Sequence, residues 1–250
     1  MNYGCQLYSC RNFPTLSTLP EELAAAGYSS VEGYPDVYSD PAGFRSLLDA
    51  AGLTMPSGHF PLAMLEEAPE QVAGTARTLG ISKIFCPYLE EAERPEDLAG
   101  WVAVAQRLEA IGASLHERDL TFGWHNHAFE FATLPAGEIP MAVLLDYAQT
   151  IEWEADIAWI VRSGNNPFQW IERFEDRITA VHVKDIAPAG TNRDEDGWAD
   201  VGKGVVDWSN LLPRLDIGKR LLVTEHDNPS DVLRFARNSV QWLKSQQVGT

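Results

Sequence analysis

Short runs rich in β-branched and aromatic residues alternate along the chain with longer helix-like stretches. Runs of the first kind read as buried strands, and their alternation with helices predicts βα units around a parallel sheet. Eight strands are predicted, at 3–9, 29–33, 54–59, 83–87, 121–127, 151–156, 180–184 and 221–225. Helices are predicted over 41–51, 67–79, 95–118, 167–173 and 231–245, several opening on a Pro in the first turn, where a missing N–H is tolerated. Eight such units in 250 residues match an α/β fold, a single (β/α)8 TIM barrel occupying 1–250 as one domain. No Gly/Ser-rich linker or charge block divides the chain. The longest loop-like stretch, 187–207, contains Gly190, Gly197, Gly202 and Gly204 and follows the seventh strand, where barrels build part of a substrate site or only a solvated excursion.

Composition narrows the class. At 45% hydrophobic and 22% charged residues the chain is an ordinary globular protein with enough apolar surface for a large core. A net charge of −17 repels a phosphate backbone, which argues against a nucleic-acid partner. Cys5, Cys10 and Cys86 are odd in number and lack metal-ligand spacing, as expected of reduced thiols in a cytoplasmic protein. The N-terminal stretch has neither a basic region nor a long apolar run, so neither export nor membrane insertion is expected.

Candidate chemistry gathers at the strand ends. In GWHNHAFEF, strand alternation puts His125 and His127 on one face and Trp124 and Asn126 on the other, with Glu130 just beyond. IEWEAD ends in Asp156, AVHVKD places His182 and Lys184 on one face, and LLVTEHD closes an apolar strand with Glu225 and adds Asp227. Charged groups at the ends of buried strands are costly unless paired or metal-bound. Glu130, Asp156, His182 and Glu225 are the candidate ligands of one shared cation, and a structural ion-pair network is the alternative. Their spacings of 26, 26 and 43 residues suit one βα unit each, the last including the long loop. Three carboxylates and one imidazole favour Mn²⁺ first, then Mg²⁺, with Co²⁺ and Zn²⁺ compatible.

The segments QLYSCR, GYSSVEGY, SGHFPL, WHNHAFEF, EADIAWIVRSGNNP, VHVKD, VGKGVVDW and TEHDNPSD, taken in order, resemble the sugar phosphate isomerase/epimerase family of xylose isomerase-like barrels. The resemblance covers nearly the whole chain. It implies a Glu, Asp, His, Glu metal site that maps onto Glu130, Asp156, His182 and Glu225, with His125 or His127 as alternatives for the first ligand. The family usually has an acidic residue between the two glycines where this chain has Gly202, Lys203 and Gly204.

The function expected from these residues is metal-dependent isomerisation or epimerisation of a keto or aldo sugar, by proton transfer through an enediolate stabilised by the ion. Glu225 is expected as ligand and base, Glu130 as the opposing acid, and Lys184 and His127 as groups that bind substrate oxygens or shuttle protons. His59, His125, Trp198 and Asp227 are expected to contact substrate, Glu32 to stand near the same mouth, and Asp185 to cap or support. Tyr8, Phe60 and Trp159 offer further flat faces, although large aromatics are more often core. The alternative is a lyase or hydratase acting on a 3-keto-glycoside by the same chemistry. An abasic-site endonuclease or a non-catalytic sugar-binding barrel ranks lower, the first because of the acidic charge and only six histidines. A small-molecule sugar or sugar phosphate is the expected partner, and barrels of this type often form homodimers.

Overall fold

The computed structural model describes residues 2–246, so Met1 and 247–250 of the expected domain lie outside the described residues. Among the described residues there are ten strands: β1 Tyr3–Gln6, β2 Ser30–Gly33, β3 Thr54–His59, β4 Lys83–Cys86, β5 Thr121–His125, β6 Glu152–Asp156, β7 Ile178–Val183, β8 Asp185–Ile186, β9 Trp198–Ala199 and β10 Leu221–Thr224. Eight close into a parallel barrel in the order β1-β10-β7-β6-β5-β4-β3-β2, and β8 and β9 form a separate antiparallel ribbon. The helices are α1 Leu19–Ala26, α2 Pro41–Ala51, α3 Leu62–Glu67, α4 Pro69–Leu79, α5 Leu98–His116, α6 Pro140–Tyr147, α7 Ile157–Arg162, α8 Pro167–Phe174, α9 Trp208–Leu211 and α10 Val232–Ser245. This is the expected TIM barrel.

Outward strand residues such as Trp124, Trp153, Val181 and Val183 are buried in the apolar layer beneath the helices. The inward positions at the C-terminal ends of the strands carry Glu32, Ser57, His59, His125, Glu154, Asp156 and His182, all buried. The polar interior is therefore continuous across the strands that the sequence treats one at a time. Closure depends on β1 against β10, with Tyr3 opposite Leu222 and Cys5 opposite Thr224. Tyr28 braces that seam through its hydroxyl, 2.6 Å from Thr224 Oγ1 and 3.0 Å from the Ala236 carbonyl oxygen.

Several boundaries differ from expectation for identifiable reasons. The first strand stops at Gln6 because its side-chain oxygen accepts the Tyr8 N–H, turning the chain into a 3-10 helix over Leu7–Cys10. The fifth stops at His125, since the His127 N–H donates to Glu130 instead of joining the sheet. The helix expected over 67–79 is two helices broken at Ala68, which precedes Pro69 and leaves the helical region at φ −137° and ψ 50°. The stretch 187–207 includes β9, which folds back onto the β8 pair Asp185–Ile186. Among the described residues no helix is long and apolar enough to cross a membrane. Cys5, Cys10 and Cys86 are free and buried.

Candidate metal centre

Asp156 ends β6 and caps α7, where its Oδ1 accepts the Trp159 N–H at 2.9 Å. The Asn126 side chain fixes this strand end from the neighbouring segment: its oxygen accepts from Trp153 Nε1 and Asp156 N, and its nitrogen donates to the Asp156 carbonyl. A register shift beside Trp153 and Glu154, with one extra residue on β7, sets Asp156 opposite His182. The second carboxylate oxygen, Asp156 Oδ2, is buried and has no hydrogen-bond partner.

Donor atoms of His125, Asp156, His182 and Glu225 all lie within 4.8 Å of one another, and the four side chains are buried. His182 Nδ1 is 3.0 Å from Glu225 Oε2, while its Nε2 is 2.6 Å from Glu32 Oε1. Glu32 is held in turn by Gln6 Nε2 at 2.8 Å and Ser57 Oγ at 2.5 Å. His125 Nδ1 lies 3.1 Å from Glu154 Oε2, which also approaches His59 Nε2 at 2.6 Å. Each histidine thus rests a ring nitrogen on a buried carboxylate outside the four, Glu32 for His182 and Glu154 for His125, the usual support of a metal-binding imidazole, while the other nitrogen of His182 faces Glu225. His59, His125, Glu154 and His182 also converge within 4.8 Å. Because one oxygen of Glu154 already serves three imidazoles, at 2.6 to 3.2 Å, that grouping is the scaffold behind the first.

The donor set suits a divalent ion. Burial, reinforced by Glu225, pushes the Asp156 carboxyl up to about 7, and burial with Glu32 raises Glu154. Burial opposes the charged form of His182, but Glu154, Glu225 and Glu32 override it and raise the ring well above its ordinary value. Burial, with the neighbouring carboxylates adding to it, thus favours the protonated forms of Asp156 and Glu154, and a bound ion would oppose both shifts. Two imidazoles and two carboxylates meet here, where one imidazole and three carboxylates were expected, which favours ions that accept both ligand types.

Glu130 does not join them. Its Oε1 accepts from Trp124 Nε1 at 3.0 Å and its Oε2 from the His127 N–H at 2.9 Å, placing it with the strand face opposite His125. Once β5 ends at His125, a 3-10 turn over Phe129–Phe131 folds the side chain back onto Trp124. Burial pushes this carboxyl up to about 8. Neither the ligand role nor the opposing-acid role expected of Glu130 fits that position. Asn126 and Glu154 are what the sequence reading missed. Glu154 was legible as the residue two before Asp156 on one strand face, whereas the staple made by Asn126 had no signal.

Lys184 is buried beneath the Trp198 ring, 4.1 Å from its centroid, with Nζ 2.5 Å from Asp227 Oδ1 and 3.2 Å from Glu225 Oε2. Above this floor opens a cavity of about 620 Å³, lined by His59, His125, His127, Glu225 and Asp227, with Tyr8, Tyr34 and Tyr88 at its sides. Trp198 packs behind Lys184 and is not among the lining residues. Phe60 is core, stacked on Tyr38 at 4.5 Å. His127 Nδ1 and Trp159 Nε1 are buried without partners, and their rings lie 5.3 Å apart.

Asp185 supports from behind, as expected. Its Oδ1 accepts the N–H groups of Ile186 and Val206, and its Oδ2 those of Gly202 and Gly204, at 2.9 to 3.1 Å. A Cβ on Gly204 would stand 2.2 Å from Asp185 Oδ1, and Gly202 adopts φ +80° against the Trp242 ring. The two glycines are thus required for closure, and the Lys203 between them is exposed.

Residues 20–246 match the family model of xylose isomerase-like TIM barrels, and the chain belongs to that family. Among solved structures it is similar to a sugar phosphate isomerase/epimerase from Parabacteroides distasonis, with 19% identity, 98% of this chain and 93% of that one covered, and a TM-score of 0.80. A probable 3-DHS dehydratase from Bacillus anthracis aligns at 14% identity over 98% and 99% of the chains, with a TM-score of 0.79. A 3-keto-D-glucoside 4-epimerase from E. coli aligns at 15% identity over 98% and 99%, with a TM-score of 0.73. At these identities the likeness is one of fold. No curated protein matches the sequence.

Proposed function

We propose that this barrel is a cytoplasmic, divalent-metal-dependent sugar isomerase or epimerase, with Mn²⁺ as the expected ion and His125, Asp156, His182 and Glu225 as its ligands. The observation that carries the reading is the convergence of those four donor groups beside an open cavity, with Asp156 Oδ2 buried and accepting no hydrogen bond. When bound, the ion would supply electrophilic stabilisation to the adjacent oxygens of an enediolate. Glu225 lines the cavity and is the base that takes the proton next to the carbonyl. Lys184 holds Glu225 and Asp227 in place as a buried counter-charge. His59 and His127 also line the cavity, from β3 and just beyond β5, each three places from β10 in the strand order. They are therefore placed to return a proton from across the mouth, the role that Glu130 cannot fill. Return to the opposite face gives epimerisation, and return to the neighbouring carbon gives aldose–ketose isomerisation.

The test combines metal analysis of protein purified without chelator with incubation of a keto-sugar panel in D₂O. About one ion per chain and solvent deuterium in the product are expected. Full metal content after separate replacement of each of the four ligands by Ala would sink the proposed centre. Product mass separates this reaction from loss of a β-substituent, the lyase or hydratase alternative.

A further inference from the structure

Barrels that bind phosphate commonly do so with backbone amides of the loops after the seventh and eighth barrel strands, often at a short helix N-terminus. Here those loops follow β7 and β10. In the first, the N–H groups of Ile186, Gly202, Gly204 and Val206 all donate to Asp185, so the anion they hold is the chain's own carboxylate. In the second, the Ser230 N–H donates to Glu195 at 2.8 Å, and the Arg234 N–H, in the first turn of α10, donates to Asp231 at 2.9 Å. The His226 and Asn228 N–H groups are also taken, by Ser9 Oγ and His226 Nδ1.

Side-chain charge points the same way. The cavity is lined by Asp36, Asp196, Glu225 and Asp227, against Arg11 as the one Lys or Arg among its lining residues. Arg11 itself donates to the Tyr8 carbonyl at 3.0 Å and lies over the Tyr8 ring, and Lys184 is committed to Asp227 and Glu225. A divalent ion at the proposed centre would offset Asp156 and Glu225, leaving Asp36, Asp196 and Asp227 against Arg11 and Lys184. A phosphate dianion would thus enter an acidic cavity in a chain of net charge −17. The buried groups near this floor without hydrogen-bond partners, His127 Nδ1 and Trp159 Nε1, are neutral polar atoms that hydroxyls can satisfy.

We propose that the cavity takes an uncharged sugar or glycoside and discriminates against its phosphate ester, since Asp185, Glu195 and Asp231 take six of the backbone amides of these two loops and place three carboxylates where a phosphate would sit. This rests on the sugar isomerase or epimerase reading and narrows its substrate. The test uses the wild-type, full-length protein with matched pairs: a ketohexose and its 6-phosphate, and a 3-keto-glucoside and its 6-phosphate. Binding is read by saturation-transfer NMR on the Mg²⁺-loaded protein, and exchange by deuterium uptake with the Mn²⁺-loaded protein. The uncharged member is expected to bind, with kcat/KM at least about tenfold above its ester, a penalty of about 1.4 kcal/mol for the ester. An ester bound or exchanged as well as its uncharged partner overturns this inference and leaves the functional reading standing. Binding of the uncharged member without exchange supports the inference and counts against the proton-transfer reading. Failure of every sugar, charged or not, to bind or exchange defeats both.

Discussion

Asp156 and Asp185 are both wholly buried, yet they are partnered in opposite ways. Each oxygen of Asp185 receives two backbone N–H groups, whereas Asp156 has one oxygen used as a helix cap and the other without a hydrogen bond, its nearest cation being Lys184 Nζ at 3.8 Å. The same contrast separates the regions around them. Beside α10, Arg234 donates to Glu195 and Asp200, Asn238 to Asp200 and Ser230 to Glu195, so three of the charges walling a cavity of about 360 Å³, Glu195, Asp200 and Arg234, are already paired. At the barrel mouth, Glu154 Oε1, Asp156 Oδ2 and His127 Nδ1 are buried without hydrogen-bond partners. A saturated carboxylate organises a loop. An unsaturated one, held in place by its neighbours, carries a desolvation cost that a ligand can relieve.

The contrast breaks most sharply if Asp156 proves dispensable. Asp156→Ala is expected to lose the metal and to lower turnover on the order of 10³-fold, while the metal-free protein loses only about 1 kcal/mol of stability through the missing α7 cap. Metal analysis and urea unfolding read the two halves separately. Asp185→Ala should behave in the opposite way, costing roughly 3 kcal/mol in urea unfolding as four N–H groups lose their acceptor, with the folded fraction still binding metal. A stability loss below about 0.5 kcal/mol would remove the structural role assigned to Asp185.

Smaller effects sharpen the picture. Glu154→Gln should weaken metal binding by roughly 10- to 100-fold, since it supports His125 without being a ligand, and competition with a chelator measures this. Glu195 offers a pH test in the saturated region. Burial would raise its carboxyl, but Ser230 and Arg234 override that and hold it at about 2. A carboxyl lowered in the folded state contributes stability in full above its ordinary pKa of 4.5, and that contribution is lost as pH falls from 4.5 towards 2. Glu195→Gln should therefore flatten the acid limb of a stability profile, and an unchanged slope would count against the pairing. Last, Glu130→Gln is expected to leave metal content unchanged, the clearest separation of this carboxylate from the centre.

The strands were legible because each is a short apolar run that tolerates burial on both faces, and Asp156, His182 and Glu225 stood out as charges that end or interrupt such runs. What left the first candidate ligand open between Glu130, His125 and His127 was a boundary. Glu130 follows the fifth run closely, but the strand stops at His125, and the turn that stops it is made by Glu130 itself. Side chains that bond locally to the backbone end strands in ways that hydrophobic alternation does not encode, as Gln6 does at β1. Glu32 shows a different obscurity: its importance comes from His182, a distant residue brought beside it only when the barrel closes.

That closure has a consequence for how the protein is made. Tyr3 pairs with Leu222, so the barrel is completed by its first and last barrel strands, and Glu225 follows directly on the latter. A chain emerging from the ribosome exposes His125, Asp156 and His182 well before Glu225 arrives and the seam can form. Such late, long-range pairing is intrinsically slow. The four candidate donors are therefore brought together only after β10 and Glu225 have been synthesised, so an ion at the proposed centre is acquired after that point rather than while the earlier strands are being made.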